Sequence, residues 1–533
     1  MRTETIDDLF ARYGPSYRIF VTAGAMVASF TMVLSATIVN VAVPEVMGAF
    51  GVGQDEAQLM ATAFIATMTA SQLLNAWFVS AFGPRLTFMI VLTIFTVGLL
   101  ISGFGPNLDI IVVGRVLQGF AAGVIQPLAM VTVVQVFPGN RRGVAVGIFG
   151  VGLMLAVGAG PVVGGIAIDT LTWRAIFFVT LPLVILAMFL GSIFMPNPER
   201  EARREPFDWT SYILLCTALF CVISAATNGQ RDGWTSNEIL IRFAVGVAAT
   251  AGFVRMQMRD GPRLLDFTLL KNPQFASAVV VGFVFGMGNF AMTYAIPVFT
   301  QIVQGYTASQ AGLILLPASM ILVILFPLAG RLSDHVPAQF PIMGGLILFA
   351  AGVALLATAD VNSTFWTIAM FAIVARVGMG FINPALMASA LNALPPDRLN
   401  QSSGTINFFR QLGGACGITV LVVFLEIRTQ FHNENLAATQ TSANSATREL
   451  LEQVKHILSA DGIPAAMLDR MALDHLGAMI EAQANTLGFQ DGFWLIAGVF
   501  IAALIPAWIL GRAEKKPKKA VRPAGRPAAQ AGD

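Results

Sequence analysis

Charged side chains are what this sequence has least of. They make up 12% of its 533 residues, where a soluble domain carries about 25%. The net charge is +2, so there is no bulk field to hold a polyanion, and no nucleic-acid partner is expected. Cysteine occurs three times, as Cys216, Cys221 and Cys416, each inside an apolar stretch. That excludes a disulfide framework and any metal-ligand spacing. The four histidines, His335, His432, His456 and His475, lie outside the apolar stretches and form no ligand set. No cofactor is expected. Lysine is confined to Lys271, Lys455, Lys515, Lys516, Lys518 and Lys519, and none follows a glycine. The GxxxxGK[ST] phosphate loop is therefore missing, which argues against nucleotide hydrolysis within this chain. No nucleophile or paired acid stands out in the apolar stretches, so an enzyme is the least favoured class.

What is present is apolar surface. Hydrophobic residues reach 56%, phenylalanine alone numbers 40 and mean hydropathy is +0.72. About fourteen segments meet the ~20-residue length that a helix needs to cross a bilayer. The first is too long for a cleavable leader and many others follow, so none is expected. Basic residues set the orientation. Alternate connections carry Arg85, Arg141 and Arg142, Arg200 to Arg204, Arg255 to Lys271, Arg331 and Arg398, whereas PEVMGAFGVGQDEA and FGPNLD carry none. Both termini are then cytoplasmic, which requires an even number of spans. The expected organisation is a cytoplasmic N-terminus (1–17), a six-helix half (18–195), two inserted helices with their loops (196–274), a second six-helix half (275–511) and a disordered basic tail (512–533). A long periplasmic loop, 429–488, contains two helix-like stretches, either a self-packed cap or a docking surface for a partner. Membrane lipid is the surrounding partner, and the tail's lysines and arginines suit either an anchor or lipid headgroups.

Polar residues inside such helices carry the chemistry. In VLSATIVNVAVP, Ser35, Thr37 and Asn40 interrupt the first span. In the fourth, Arg115 lies inside an apolar helix with Gln118 one turn later. A buried guanidinium faces the protein interior or a wet cavity, either as a structural anchor or as a cationic site. Arg376 sits mid-helix in the twelfth span. Arg410, nearer the cytoplasmic end of the thirteenth, is expected to tie helices together. Gln126, Asn289, Tyr294, Gln301 and Asn383 are further cavity candidates. In the fifth span, Gly147, Gly160, Pro161, Gly164 and Gly165 offer a groove for close helix approach and a bend.

These residues carry a family resemblance. Gly160-Pro161-x-x-Gly164-Gly165 resembles the antiporter motif of the major facilitator superfamily, and Arg115-Val-Leu-Gln118-Gly119 resembles its segment-four arginine motif. GRLSDH, with Gly330 and Asp334, resembles the gating-loop motif of the second half. In the first half only Gly83 and Arg85 match it, and Ser80 stands where the acid usually is. TIVNVAVP, TWRAIFFVTLP, FDWTSYILL, NGQRDGWTS, GYTASQAGLILLPAS and INFFRQLGGACG are similar to the fourteen-helix drug:proton antiporter branch (DHA2 type). The outward loop further resembles the EmrB-type inner-membrane permeases of tripartite multidrug efflux pumps. The resemblance implies two six-helix bundles rocking around a central cavity in the bacterial inner membrane, lined by helices one, four, nine and twelve, with helix five as the moving seam. It implies export of lipophilic small molecules against proton entry, with a periplasmic adaptor and an outer-membrane channel as partners.

One departure bears on mechanism. Ser35 follows Leu34 where the family's first helix often has aspartate. A membrane-embedded acid is the usual proton carrier, and serine cannot serve. Asp109 and Glu426 are the remaining candidate acids. An interior with Arg115, Arg376 and Arg410 and no obvious anion favours weakly acidic substrates. Alternatively, Ser35, Thr37, Asn40 and Gln118 only hydrogen-bond Arg115 and its neighbours. A passive or differently coupled carrier of organic anions, or a transporter-derived receptor or scaffold, are the other classes.

Overall fold

The computed structural model describes residues 4–137, 142–197, 207–259, 264–393, 399–441, 443–460 and 464–514. They are almost entirely helical, and the only bridge between extended segments joins Glu4 to Asn197. In lipid every backbone group must bond within its own segment, so apolar runs of this length fold as helices. Thirteen described helices are long and apolar enough to cross a membrane. A further helix, Arg142–Thr170, holds a shorter apolar stretch at the place expected for a fifth span. The set accommodates the fourteen expected segments, which are counted here in chain order.

Packing follows a repeat. The first span (Tyr17–Ile38) packs on the fourth (Leu108–Val136), fifth (Arg142–Thr170) and sixth (Leu181–Phe194). The ninth (Pro273–Ile302) packs likewise on the twelfth (Phe365–Asn392), thirteenth (Leu399–Thr439) and fourteenth (Ala465–Ala502). The second (Leu59–Ser71) and third (Pro84–Phe104) pack on the fourth as the tenth (Ala308–His335) and eleventh (Gln339–Leu356) do on the twelfth. Across the halves, the fifth meets the tenth and the thirteenth meets the second. Both contacts are the same pair under exchange of halves, so the bundle has an internal two-fold relation. The inserted helices, Trp209–Asp232 and Asn237–Gln257, pair with each other at the rim. Phe220, at 72% exposure, shows the lipid-facing character of that pair.

Two prolines shape the centre. The first span loosens into a 3-10 turn, Val39–Ala42, before Val43–Phe50. Pro44 lacks an N–H, so the Asn40 carbonyl four residues earlier loses its helical donor. In the ninth span Pro297 frees the Thr293 carbonyl in the same way, and Asn40 Nδ2 donates to it at 3.3 Å. One bond thus joins the halves where both helices are interrupted.

The outward region differs from the expected loop. Residues 429–439 extend the thirteenth span, and the stretch from Ala465 runs unbroken into the fourteenth, so only Ser445–Ala460 is a separate helix. Neither junction contains a proline or a run of glycine that would stop a helix. At the opposite end of the bundle, Gly83 turns the chain between the second and third spans at φ 77°. Only glycine adopts this region without strain. Arg85 follows it. Its Nε donates to the Met195 carbonyl at 2.6 Å and its Nη2 to Glu4 Oε2 at 2.8 Å, strapping the N-terminal segment beneath the first half. Arg85→Ala is expected to lower stability by about 2 kcal/mol, through the loss of charge-assisted bonds in a buried setting. A lower melting temperature in detergent, with no change in substrate preference, is the outcome that checks it.

Candidate functional site

Between the halves a cavity of about 890 Å³ opens at the end that carries Arg85, Arg255 and Lys271. Gln72 and Asn75 below the second span, Gln126 and Met130 of the fourth, Leu153 of the fifth, and Arg410 and Gln411 of the thirteenth line it. A deeper compartment of about 130 Å³ continues it, sharing Gln126, Leu153, Arg410 and Gln411. Thr37, Asn289, Thr293, Arg376 and Asn383 give the deeper part its polar lining, and Phe285, Phe290, Phe326, Met68 and Met379 give its apolar walls. The opposite end is shut by the Asn40–Thr293 bond and by Asp169, whose Oδ2 accepts from Ser309 N at 3.0 Å between the fifth and tenth spans. The bundle is therefore open on one side only.

Arg376 reaches from the twelfth span to the ninth. Its Nη1 donates to Asn289 Oδ1 at 2.7 Å and its Nη2 to Thr293 Oγ1 at 2.6 Å. Neither partner is charged. Arg410, expected to tie helices together, instead faces both compartments and makes no hydrogen bond or ion pair among the described residues. Among the described residues the only acid on either lining is Asp266, at the mouth, where its Oδ1 accepts from Thr268 N and Oγ1. Among the described residues the deeper compartment therefore holds two cations and no anion.

Arg115 has a different environment. It is 0% exposed and lines neither compartment. Nε donates to the Met60 carbonyl at 2.8 Å, Nη1 to Ser35 Oγ at 3.0 Å and to Gln118 Oε1 at 2.7 Å, and the guanidinium lies 4.3 Å from the Phe64 ring centroid. Gln118 Nε2 passes the chain on to Ser102 Oγ at 3.1 Å. Ser35, Arg115 and Gln118 thus form one network inside the first half, joining spans one, two, three and four.

Glycines set the seam. A Cβ on Gly160 would strike the Thr37 side chain, one on Gly164 would strike Ile38 and Val41, and one on Gly165 would strike the backbone of Ala308 and Ser309. Gly312 of the tenth span sits against the Pro161 carbonyl in return. The fifth helix is consequently wedged between the first span of its own half and the tenth of the other. Gly147, Gly330 and Asp334 lie on helices, but their side-chain surroundings are outside the described residues. The family model described as Major Facilitator Superfamily matches residues 25–418 of the chain.

The chain belongs to the Major Facilitator Superfamily. It is a multi-pass membrane transporter of the bacterial cytoplasmic membrane, not an enzyme. The multidrug export protein EmrB of Haemophilus influenzae is 25% identical over 495 residues, covering 92% of this chain and 95% of that one. An uncharacterized transporter of this superfamily from Bacillus subtilis, YhcA, is 26% identical over 481 residues, 90% of each. Among solved structures, a bacterial homolog of the human lysosomal transporter Spinster superposes with a TM-score of 0.65 at 14% identity, over 94% of this chain and 98% of that one.

In this superfamily member the remaining candidates fall outside the cavity. Tyr294 is fully buried beside it, and Gln301 Nε2 donates to the Pro297 carbonyl at 3.2 Å within its own helix. Asp109 is exposed in the first turn of the fourth span. Glu426 is half-buried at the far end of the thirteenth. Thr293 and Gln411 were not singled out from sequence. The matching spacing of Asn40 to Pro44 and Thr293 to Pro297 was the available signal for the first.

Proposed function

We propose that this transporter exports lipophilic small molecules, weak acids among them, by alternating access in exchange for protons. The observation that carries the reading is the deeper compartment, where Arg376 and Arg410 stand among phenylalanines and methionines with no carboxylate among the described residues. An amphiphilic anion brings the missing charge and fills apolar walls, which a hydrated inorganic anion does not. The cavity opens on the side of the arginine-rich loops, which the charge rule assigns to the cytoplasm together with both termini. A substrate is then collected from inside. The name of the Haemophilus relative, a multidrug export protein, supports the direction. The helical extension on the outward side is the surface for a periplasmic adaptor leading to an outer-membrane channel. Ser35 favours a second reading, a carrier of organic anions that runs without proton coupling.

The test uses the full chain in proteoliposomes with fluorescein as the anionic probe and ethidium as the cationic one. Arg376→Gln is expected to lower fluorescein flux about 10-fold or more, the loss of one charge-assisted contact, and ethidium flux much less. Equal losses for both dyes would remove charge selection from the proposal. Flux that ignores an imposed pH gradient would favour the uncoupled carrier.

A further inference from the structure

We propose that Asp55 and Glu426, with Arg231 of the inserted helix pair as their counter-cation, form the site that binds the coupling proton from outside, in place of the acid missing at Ser35. This rests on the exporter reading for its direction and on geometry for its place.

Asp55 lies in the turn Gln54–Ala57 that precedes the second span, and it is only 3% exposed. The thirteenth span packs on this turn and brings Glu426 to it, within electrostatic reach of Asp55 and Arg231. Glu426 Oε2 is buried and has no hydrogen-bond partner. Arg231 comes from the tip of the first inserted helix, where it pairs with Glu56 and, at 3.1 Å, with Asp232. Tyr294 of the ninth span lies within reach of Gln54 and Asp55, and its buried hydroxyl has no hydrogen-bond partner. Gln58, one turn after Asp55 and 0% exposed, leaves both amide atoms unbonded, and Thr62 leaves its hydroxyl unbonded a turn further on. Unsatisfied buried polar groups are rare and call for an occupant or a change of state.

The charges here do not balance. Among the described residues, Asp55, Glu56, Asp232 and Glu426 lie within electrostatic reach of one cation, Arg231. Arg428, on the same helix as Glu426, is already engaged by Asp491 at 2.7 Å, and Glu45 of the neighbouring outer turn is exposed. Asp55 and Glu426 Oε2 are the members withdrawn from water, and two neighbouring buried carboxyl groups favour holding a proton between them.

Position gives the site its use. It joins the second, ninth and thirteenth spans at the end that is closed in this structure, so opening that end would part its members and wet them from outside. A proton then leaves external water for a carboxyl oxygen, and the lost charge lets the helices close again. Inward, Asn40 Oδ1 is unbonded while its Nδ2 holds the Thr293 carbonyl, and Thr293 Oγ1 accepts from Arg376 in the central cavity.

The test uses the full chain in lipid, with Asp55→Asn and Glu426→Gln singly and together. Infrared spectra at neutral pH are expected to show a protonated-carboxyl band that the double variant loses. This readout does not depend on any substrate. In proteoliposomes, pH-driven fluorescein flux is expected to fall about 10-fold more than fluorescein counterflow without a gradient, because only the first requires proton binding. A band that survives in the double variant overturns the proposal, as does an equal loss of both fluxes. A wild type that shows the band but moves no dye supports the site and overturns the exporter reading instead.

Discussion

Gly165→Leu is expected to lower transport of every substrate about 100-fold and to leave the chain open on its outward side. The reason is steric. Gly165 is buried against the Ala308 carbonyl and the Ser309 backbone, where the fifth and tenth spans close the end opposite the cavity. A flexible side chain can move aside, but a helix backbone cannot. Overpacking in a tight core costs about 1–3 kcal/mol, and against backbone the upper end applies. About 3 kcal/mol set against one of two states shifts their ratio by about 100-fold. The same wedge is relieved when the outer ends separate, so the fold survives while the inward-open state is depopulated. The check is a cysteine reporter, Val41→Cys, in a chain whose Cys216, Cys221 and Cys416 have been replaced. Val41 is fully buried beside Gly164 on the closed side. External impermeant maleimide should label it faster with Gly165→Leu than without. A variant that transports at the ordinary rate would show that the fifth and tenth spans do not part during the cycle.

The seam was legible because it is written in residue types that mean little else at that spacing. Glycine twice beside a proline, within a helix, marks a close approach and a bend wherever it lies in the bundle. The arginines were less legible. Arg115 and Arg376 occupy matching places in the two halves, following Gly114 and Ala375, which pack on the third and eleventh spans respectively. Yet one is enclosed and the other faces the cavity. The difference lies in neighbours far away in sequence. Met60, Phe64 and Ser35 cover Arg115 from two other spans, whereas the hydrogen-bond partners of Arg376 among the described residues are Asn289 and Thr293 of the ninth. Nothing local to either arginine encodes this. Arg410 shows the same limit, since its exposure to the cavity depends on the gap left between the second and thirteenth spans. Asp55 lies in a short turn, and its burial comes from the thirteenth span and the first inserted helix, both far away in sequence. The expected span count and orientation, by contrast, rest on run lengths and arginine placement alone.

Arg115→Ala is expected to destabilise the protein by about 1–4 kcal/mol and to lower fluorescein and ethidium transport in parallel, leaving their ratio within about 2-fold of the wild type. Two effects oppose each other. Truncation removes a buried cation that has no counter-charge, and one of its nitrogens, Nη2, has no bond to lose. That is a gain of about 1–2 kcal/mol. Against it stand three hydrogen bonds to Met60, Ser35 and Gln118, the contact with Phe64, and a void where the largest fully buried side chain had been. The losses are larger, because cavity and bond terms add to about 3–5 kcal/mol. Lysine does not rescue the site, since a single ammonium cannot span a carbonyl on one helix and a hydroxyl on another as the planar fork does. Methionine should recover most of the stability by filling the space, while Ser35 and Gln118 stay bonded to each other at 3.1 Å. Melting in detergent and the two dye fluxes measure both parts. A selective loss of fluorescein transport in Arg115→Met would move charge recognition into the first half, against the geometry that encloses Arg115 there.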